Sequence, residues 1–266
     1  MPASALMNIM TSAARKASRR LIRDFNEVEQ LQVSVKGPSD FVSQADLACE
    51  KTLYEELSKA RDGYGFLMEE QGSKEGTDKT HRWIIDPLDG TTNFLHGIPL
   101  FAISIALERE GELVAALVYN PAMDECFTAE KGKGTFLNDR RIRIAGRKSL
   151  EDIVTVTGIP HRGKSGHKTF LAEQKAVMQT CSGVRRTGSA ALDLAWTAAG
   201  RFDAYWERGI QAWDMAGGIL LVKEAGGIVT DLDGQDKMLE KGHLLAANIP
   251  IHKAMINVIS KANESR

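Results

Sequence analysis

The sequence predicts a mixed α/β protein built as a layered sandwich, and three observations support that fold class. Helical and strand-like segments both recur along all 266 residues. Strand-like runs in the first half are separated by short turns, as in hairpins, whereas those in the second half alternate with helices, as in βαβ units. Hydrophobic residues make up 43% and charged residues 26%, so the chain can bury a normal core.

Two helices are predicted in the first third of the chain, over about 4–30 and 43–60, joined by a polar loop around residues 36–40. The first helix has an apolar face whose members recur at i, i+3, i+4 and i+7. These residues are Leu6, Ile9, Met10, Ala13, Ala14, Ala17 and Leu21. The same segment has no acidic residue before Asp24 and is rich in Ser, Ala and Arg, so an organellar targeting segment is the alternative.

Short strands are predicted to follow, each bounded by turn residues. They cover 82–86, 101–109, 112–119, 125–129, 134–137 and 141–144, and Glu110-Gly111 forms a hairpin turn. The second half predicts strands at 153–157, 202–207, 228–231 and 244–247. Its helices are predicted at 167–179, 189–199 and 213–225 and from Pro250 onward. We expect a single unit over 1–266, with 1–150 and 151–266 as candidate subdomains.

Composition excludes several classes of protein. The formal net charge is 34 − 35 = −1, which argues against a protein that binds nucleic acid directly through a basic surface. Apolar runs fall well short of the roughly 18 residues that span a bilayer, so no membrane segment is predicted. Three cysteines without a CxxC pair fit a reducing cytoplasm. Six histidines without an HxH or HExxH pattern make a zinc hydrolase a poor fit.

The segment from Trp83 to Phe94 carries the clearest chemistry. An apolar strand ends at Asp86, a proline turn follows, and Asp89 comes three residues later with the Leu88 carbonyl between the two carboxylates. Mg²⁺ prefers such hard oxygen ligands. Gly90-Thr91-Thr92 then begins a predicted helix, whose first N–H groups favour a phosphate. The simpler alternative is an Asx-turn with an aspartate helix cap on a surface loop.

Further acidic residues could complete such a site. Glu69-Glu70 follow the apolar run Phe66–Met68, although paired glutamates are often only solvated surface. Asp214 and Asp46 each begin a predicted helix, where an N-cap role is the simpler explanation.

Five blocks of this sequence, in order, resemble the inositol monophosphatase family. Residues 86–94, Asp-Pro-Leu-Asp-Gly-Thr-Thr-Asn-Phe, resemble the family's first motif, and residues 213–218, Trp-Asp-Met-Ala-Gly-Gly, resemble its second. Glu69-Glu70 match the family's glutamate pair, and residues 36–46 are similar to its lysine–aspartate block. Residues 185–195 most closely resemble the bacterial SuhB-type branch.

The resemblance implies roles for individual residues. The metal ligands for Mg²⁺ would be Glu69, Asp86, the Leu88 carbonyl, Asp89 and Asp214. Asp46 and Thr91 would polarise the attacking water, Glu70 would help to order metal-bound water, and Lys36 would add positive charge. The substrate would contact Leu88, Asp89, Gly90, Thr91, Arg185, Ser189, Ala190, Glu207 and Asp214.

The resemblance also implies a fold and an activity. The fold is the layered α/β/α/β/α sandwich of the inositol monophosphatase and fructose-1,6-bisphosphatase type. Proteins of the family are usually homodimers and are often inhibited by lithium, so the resemblance implies both properties. The expected reaction is hydrolysis of a small phosphate monoester, above all myo-inositol 1-phosphate. Fructose-1,6-bisphosphate, 3′-phosphoadenosine-5′-phosphate, histidinol phosphate and NADP(H) are alternative substrates. A different role, as a partner of RNA polymerase in transcription antitermination, is the second hypothesis.

Three positions depart from the family pattern. Met68 stands where glycine usually precedes the glutamate pair, and Ser43 stands where threonine is common. In the second motif, Ala216-Gly217-Gly218 stand where a double alanine is commoner. The glycines predict a looser start to the helix that begins in this motif. None of these changes removes a predicted ligand.

Overall fold

The part of the chain that the structure describes contains eight α-helices, a 3₁₀ helix (Leu150–Asp152) and fifteen strands. The computed structural model describes residues 4–27, 33–37 and 40–264, with 33–37 and 40–43 described by their backbone alone. The helices are α1 (Ala5–Phe25), α2 (Gln44–Ala60), α3 (Thr91–Leu95), α4 (His167–Met178), α5 (Ala190–Ala198), α6 (Ala212–Glu224), α7 (Met238–Lys241) and α8 (Ile249–Glu264).

The strands form two sheets and one separate hairpin. The first ten strands are β1 (Val33–Gly37), β2 (Asp40–Ser43), β3 (Gly65–Met68), β4 (Gly72–Lys74), β5 (His81–Asp89), β6 (Ala102–Arg109), β7 (Glu112–Asn120), β8 (Glu125–Glu130), β9 (Gly134–Leu137) and β10 (Arg140–Ile142). The last five are β11 (Val154–Thr157), β12 (Gly183–Arg185), β13 (Ala204–Arg208), β14 (Ile228–Thr230) and β15 (His243–Ala247). Eight strands pair in the order β10-β9-β8-β7-β6-β5-β3-β4, five in the order β12-β11-β13-β15-β14, and β1 pairs with β2.

The layers alternate helix and sheet, which confirms the predicted α/β/α/β/α sandwich. Helices α1 and α2 pack on one face of the large sheet, and α5 and α6 pack between the two sheets. Helices α4 and α8 cover the outer face of the small sheet. Strand β6 shows why a strand in this position is apolar on both sides. Ile103 and Ile105 face the α1–α2 layer, while Ala102 faces the α5–α6 layer.

The helix predictions are largely confirmed. The second predicted helix begins at Gln44, and the predicted helices at 167–179, 189–199 and 213–225 each agree within about one residue at either end. The first helix forms as an amphipathic element, with Met10, Ala13 and Leu21 buried. Its predicted end at 30 is wrong, because the helix stops at Phe25 and Asn26 closes its last turn. Residues 28–30 lie outside the described residues.

Several strands differ from the predictions. The polar loop expected around residues 36–40 is only partly described: residues 36–37 belong to β1 and residue 40 to β2, two paired strands that were not predicted, and residues 38–39 lie outside the described residues. The strand expected at 141–144 occupies Arg140–Ile142. Strands β4 and β12, three residues each, lie at sheet edges and were not predicted. The Glu110-Gly111 hairpin forms as expected, with positive φ values of 52° and 81°.

The glycine pair of α6 allows close packing instead of loosening the helix. A Cβ atom on Gly218 would lie 2.3 Å from the Leu194 side chain of α5, and one on Gly217 would lie 2.8 Å from Ser104 Oγ of β6. Helix α6 remains continuous from Ala212 to Glu224. The predicted looseness is therefore wrong, because these glycines bring α6 close to α5 and to the large sheet.

The structure also describes the cysteine thiols and the lengths of the helices. The three cysteines are free thiols, with Cys49 and Cys126 buried and Cys181 half-buried. Within the described ranges, no helix is long and apolar enough to cross a membrane. The division into subdomains 1–150 and 151–266 stays a prediction.

Candidate active site

Three aspartates converge at the end of strand β5. One carboxylate oxygen each from Asp86, Asp89 and Asp214 lies within 4.8 Å of the others. Asp86 is 1% exposed, and the other two are half-buried. Asp86 Oδ1 also accepts a hydrogen bond from the backbone N–H of Leu88 at 2.9 Å, as in an Asx-turn. The Asx-turn that was the simpler alternative is thus present, and it holds a carboxylate of the triplet.

Asp214 comes from a distant part of the chain, in the first turn of α6. It is the third helical residue and not the N-cap, which is Gln211, so the expected N-cap role is wrong in position. Asp214 Oδ2 accepts a hydrogen bond from the backbone N–H of Gln211 at 2.7 Å, which completes a capping box. The capping interaction fixes the carboxylate that faces strand β5.

Burial raises the pKa values of all three aspartates, and repulsion from neighbouring carboxylates adds to the rise at Asp86 and Asp214. Burial, and then the charges of Glu69, Asp89 and Asp214, raise the pKa of Asp86 well above its usual value. Burial is also the main cause for Asp89, whose pKa rises to about 6, and for Asp214, whose pKa rises well above its usual value. Such a cluster of hard oxygen donors fits a divalent cation, because the cation offsets the repulsion that the carboxylates experience alone.

A cavity of about 560 Å³ opens in front of the triplet. It brings together most of the residues that the sequence predicted for the site. Those that line it are Glu69, Asp89, Gly90, Thr91, Ser189, Ala190, Glu207 and Asp214. Asp86, Leu88 and Asp46 are buried and do not line it, and Asp46 lies in the first turn of α2.

The structure places the other predicted site residues less directly. Glu70 lies half-buried in the turn between β3 and β4, outside the cavity lining. Lys36 lies on β1, where the side chains are not described. Arg185 is exposed at the end of β12, and its Nη1 donates to the Val184 carbonyl. The cavity is lined by the neighbouring Arg186 and not by Arg185.

Gly90 shapes the start of α3 beside the aspartates. Its φ of 93° lies in the left-handed region, and a Cβ atom would come within 2.9 Å of the Leu100 carbonyl. Thr91 begins the helix, and its Oγ1 donates to the Leu88 carbonyl at 3.0 Å. The first turn of a helix has N–H groups without partners inside the helix, so this turn can bind an anion in the cavity.

Asp89 is tied to the N-terminus of α5 by two hydrogen bonds. Ser189 Oγ donates to Asp89 Oδ2 at 2.5 Å, and the backbone N–H of Ala191 donates to the same oxygen at 2.7 Å. Ser189 is also the N-cap of α5, accepting from the Leu192 N–H. The Ser189 hydroxyl thus both caps α5 and helps to hold Asp89, one of the three aspartates, against the start of that helix.

A second group of ionisable residues lies in and beside the same cavity. Tyr205 donates to Glu207 Oε2 at 2.5 Å, and burial raises the pKa of Glu207 to about 7. Gly158 has no side chain because a Cβ atom would lie 1.8 Å from a Glu207 oxygen. Arg186 and Asp193 also line the cavity, and Asp193 accepts from Thr187 Oγ1 at 2.5 Å. The sequence analysis predicted neither Arg186 nor Asp193 as a site residue. Asp193 could have been predicted, because it is the one carboxylate in the otherwise apolar helix α5.

The departure at Met68 is compatible with the site. Met68 is the last residue of β3, is fully buried, and packs in the core beneath α1 and α2. Its larger side chain therefore points into the core, while Glu69, the next residue, lines the cavity.

Comparison with known proteins finds relatives that match over nearly the whole chain. The family model for the inositol monophosphatase family matches residues 3–265. An inositol-1-monophosphatase of Mesorhizobium japonicum is 59% identical over 266 residues, which is all of both chains. A protein of Pseudomonas aeruginosa named Nus factor SuhB is 44% identical, covering 96% of this chain and 95% of that one. A crystal structure of the extragenic suppressor protein suhB from Bartonella henselae superposes with a TM-score of 0.95 at 56% identity, covering 97% of this chain and 99% of that one.

The fold and the acidic cavity define the class as metal-dependent phosphatases that act on phosphate monoesters. This chain belongs to the inositol monophosphatase family.

Proposed function

We propose that this chain is a Mg²⁺-dependent phosphatase whose preferred substrate is myo-inositol 1-phosphate. The observation that carries the proposal is the triplet of aspartates within 4.8 Å of one another, two of which, Asp89 and Asp214, line the cavity. The first turn of α3 faces the same cavity and offers N–H groups to a phosphate. A cation site and an anion site side by side suit a phosphate ester bound through metal.

The chain's own oxygen atoms would hold the metal. We propose Glu69, Asp86, Asp89, Asp214 and the Leu88 carbonyl as ligands. Bound Mg²⁺ neutralises phosphoryl oxygens, lowers the pKa of a coordinated water and stabilises the leaving alkoxide. Asp89 is held by Ser189 and Ala191, and Asp214 by Gln211, so these carboxylates are positioned before a ligand arrives.

Thr91 and Asp46 are proposed to orient the attacking water. Thr91 Oγ1 donates its hydrogen to the Leu88 carbonyl, which leaves the oxygen lone pairs to accept a hydrogen bond from water. Asp46 is 2% exposed on the helix behind this turn. Glu70 and Lys36 are proposed to support the water and the local charge, respectively.

The rest of the cavity lining suits a substrate with several hydroxyl groups. Glu207 can accept a hydrogen bond from a hydroxyl when it is ionised, and Ser189 and Ala190 line the same cavity. Arg186 also lines the cavity, whereas Arg185 does not, so the substrate contact of Arg185 stays a prediction. Relatives named inositol-1-monophosphatase support a cyclitol phosphate as the substrate.

A substrate panel with Mg²⁺ tests the proposal. Phosphate release from myo-inositol 1-phosphate should exceed release from fructose-1,6-bisphosphate, 3′-phosphoadenosine-5′-phosphate, histidinol phosphate and NADP⁺. The variant Asp214→Asn serves as the inactive control. Faster turnover of another ester would overturn the preferred substrate, and no turnover of any ester would overturn the phosphatase. The same assay with added LiCl tests the proposed lithium inhibition.

A second role is favoured by the relatives named Nus factor SuhB, at 44% and 41% identity. We propose that this chain also associates with an RNA polymerase complex through its surface, without direct binding to nucleic acid. Co-purification with polymerase should persist in Asp214→Asn, because that side chain lies inside the cavity.

A homodimer in the cytoplasm is proposed as the physiological form. Light scattering on the purified protein should give twice the chain mass of 29.2 kDa.

A further inference from the structure

One face of α2 contacts both turns that carry the proposed metal ligands. Asp46, Cys49 and Glu50 are spaced as i, i+3 and i+4, so they share a face of the helix. All three are buried, with 2%, 1% and 0% of their surfaces exposed. Buried polar residues on one helix face are costly unless each makes a specific interaction.

Glu50 holds the turn between β3 and β4. Its Oε2 accepts a hydrogen bond from the backbone N–H of Glu70 at 2.8 Å, and its Oε1 accepts one from the N–H of Gln71 at 3.0 Å. On the other side, the backbone N–H of Glu69 donates to the Ile85 carbonyl of β5 at 3.3 Å. The main chain around Glu69 is thus held by hydrogen bonds in both directions.

Cys49 reaches the second turn from the same helix face. Its Sγ donates to the Pro87 carbonyl at 3.2 Å, and Pro87 lies between Asp86 and Leu88. Helix α2 therefore contacts the Glu69 turn and the Asp86–Asp89 turn at once. The distance between these turns depends on the helix that spans them.

We infer that Glu50 is a positioning residue, which orients Glu69 toward the metal through the backbone of the turn. The inference rests on the proposed function, in which Glu69 is a metal ligand. A buried apolar side chain could fill the same space without the cost of burying a carboxylate. What the carboxylate adds is a pair of directional, charge-assisted hydrogen bonds to adjacent amides. Partners of this kind fix metal ligands in the geometry that the ion needs.

The substitution Glu50→Gln tests the inference with little change in shape. One carboxylate oxygen becomes an NH₂ group, which cannot accept from a backbone N–H, so one of the two amides loses its partner. We expect the dissociation constant for Mg²⁺, measured by isothermal titration calorimetry, to rise roughly 10- to 100-fold. At saturating Mg²⁺ the kcat should return close to that of the unsubstituted protein, because no group that touches substrate has changed.

The matched control is Asp203→Asn. Asp203 is also a buried carboxylate, 1% exposed, and accepts a hydrogen bond from the backbone N–H of Val154 at 2.9 Å. It directly precedes β13 of the small sheet and does not line the cavity. Asp203→Asn should lower the melting temperature and leave the Mg²⁺ dissociation constant unchanged. If both variants weaken Mg²⁺ binding equally, general destabilisation is the cause and the positioning role is wrong.

The outcomes separate this inference from the proposed function. No Mg²⁺ binding by the unsubstituted protein would overturn the proposed function. Normal Mg²⁺ binding by both the unsubstituted protein and Glu50→Gln would overturn only the positioning role. If Glu50→Gln does not fold, hydrogen exchange in the unsubstituted, metal-free protein decides. Slow exchange at the amides of Glu70 and Gln71 supports the inference, and fast exchange overturns it.

Discussion

Asp214 performs a structural and a chemical task with one side chain. Its hydrogen bond with Gln211 completes the capping box of α6, and the same carboxylate belongs to the acidic triplet. Capping and ligation were competing explanations at the sequence level, yet the geometry shows that they are compatible. A cap holds the carboxylate in a fixed orientation, which is what a metal ligand requires.

Asp214→Asn should separate the two tasks. An asparagine oxygen can still accept from the Gln211 N–H, so the helix cap should survive. Loss of one anionic ligand removes several kcal/mol of stabilisation from the transition state, so kcat/KM should fall by about 100-fold or more. Without Mg²⁺ the melting temperature should not fall, because a repelling buried charge has been removed. Activity within a few-fold of the unsubstituted enzyme would contradict Asp214 as a ligand.

Glu207 should give substrate binding a characteristic pH dependence. Burial raises the pKa of Glu207 to about 7, so the ionised fraction of the carboxylate increases from minor to major as pH rises through that value. Since the ionised form is the better acceptor for a substrate hydroxyl, KM should decrease as pH rises through about 7. Glu207→Gln should remove this component of the profile while keeping the component due to the phosphate. Identical KM profiles for the two proteins would show that Glu207 does not bind the hydroxyl.

At the scale of elements, local pattern predicted some parts well and others poorly. Helices α5 and α6 are apolar runs followed closely by Gly200 and by Gly226-Gly227, so their positions follow from local sequence. Strands β4 and β12 are three residues long and exist only because a neighbouring strand pairs with them. Such pairing is a long-range property that local propensity does not encode.

The same distinction applies to the site. Asp86 and Asp89 are neighbours in sequence, so a single motif predicts both. Arg185 and Arg186 are also neighbours, but only the end of β12 decides which one lines the cavity. Glu50 gave no signal at all, because its partners are backbone amides of another turn.

The turn before α3 gives a prediction at this scale. Gly90 and Gly97 flank α3, and both have positive φ values, 93° and 69°. An alanine at either position should cost roughly 1–2 kcal/mol from backbone strain. Only at Gly90 would the Cβ also meet the Leu100 carbonyl, at 2.9 Å, because nothing lies within 4 Å at Gly97. Gly90→Ala should therefore lose most phosphatase activity, while Gly97→Ala should lose stability alone. Comparable activity loss in both variants would contradict a phosphate role for the α3 turn.

At the scale of the whole molecule, the cavity lies where all the inner layers meet. The large sheet contributes Asp89 to the cavity from β5, with Asp86 buried beside it, helix α6 contributes Asp214, and the small sheet contributes Glu207 from β13. The predicted division between 1–150 and 151–266 would therefore leave two carboxylates of the triplet on one piece and the third on the other. The site depends on the complete sandwich, and its charge should be coupled to the stability of the entire fold.

The charge of the triplet should make the stability of the metal-free protein fall as pH rises. Folding raises the pKa of Asp89 to about 6 and moves the pKa values of Asp86 and Asp214 in the same direction, so the folded state binds more protons than the unfolded state. Stability from these groups is complete below about pH 4, the usual pKa of an aspartate, and is lost as pH rises through 6 and beyond. Bound Mg²⁺ replaces those protons and removes this loss of stability.

The increase in melting temperature caused by Mg²⁺ should therefore be small at pH 5 and larger at pH 8, as calorimetry with and without a chelator can measure. The increase should be smaller in Asp214→Asn at pH 8, and a Mg²⁺ effect that is the same at both pH values would show that the triplet does not bind the ion.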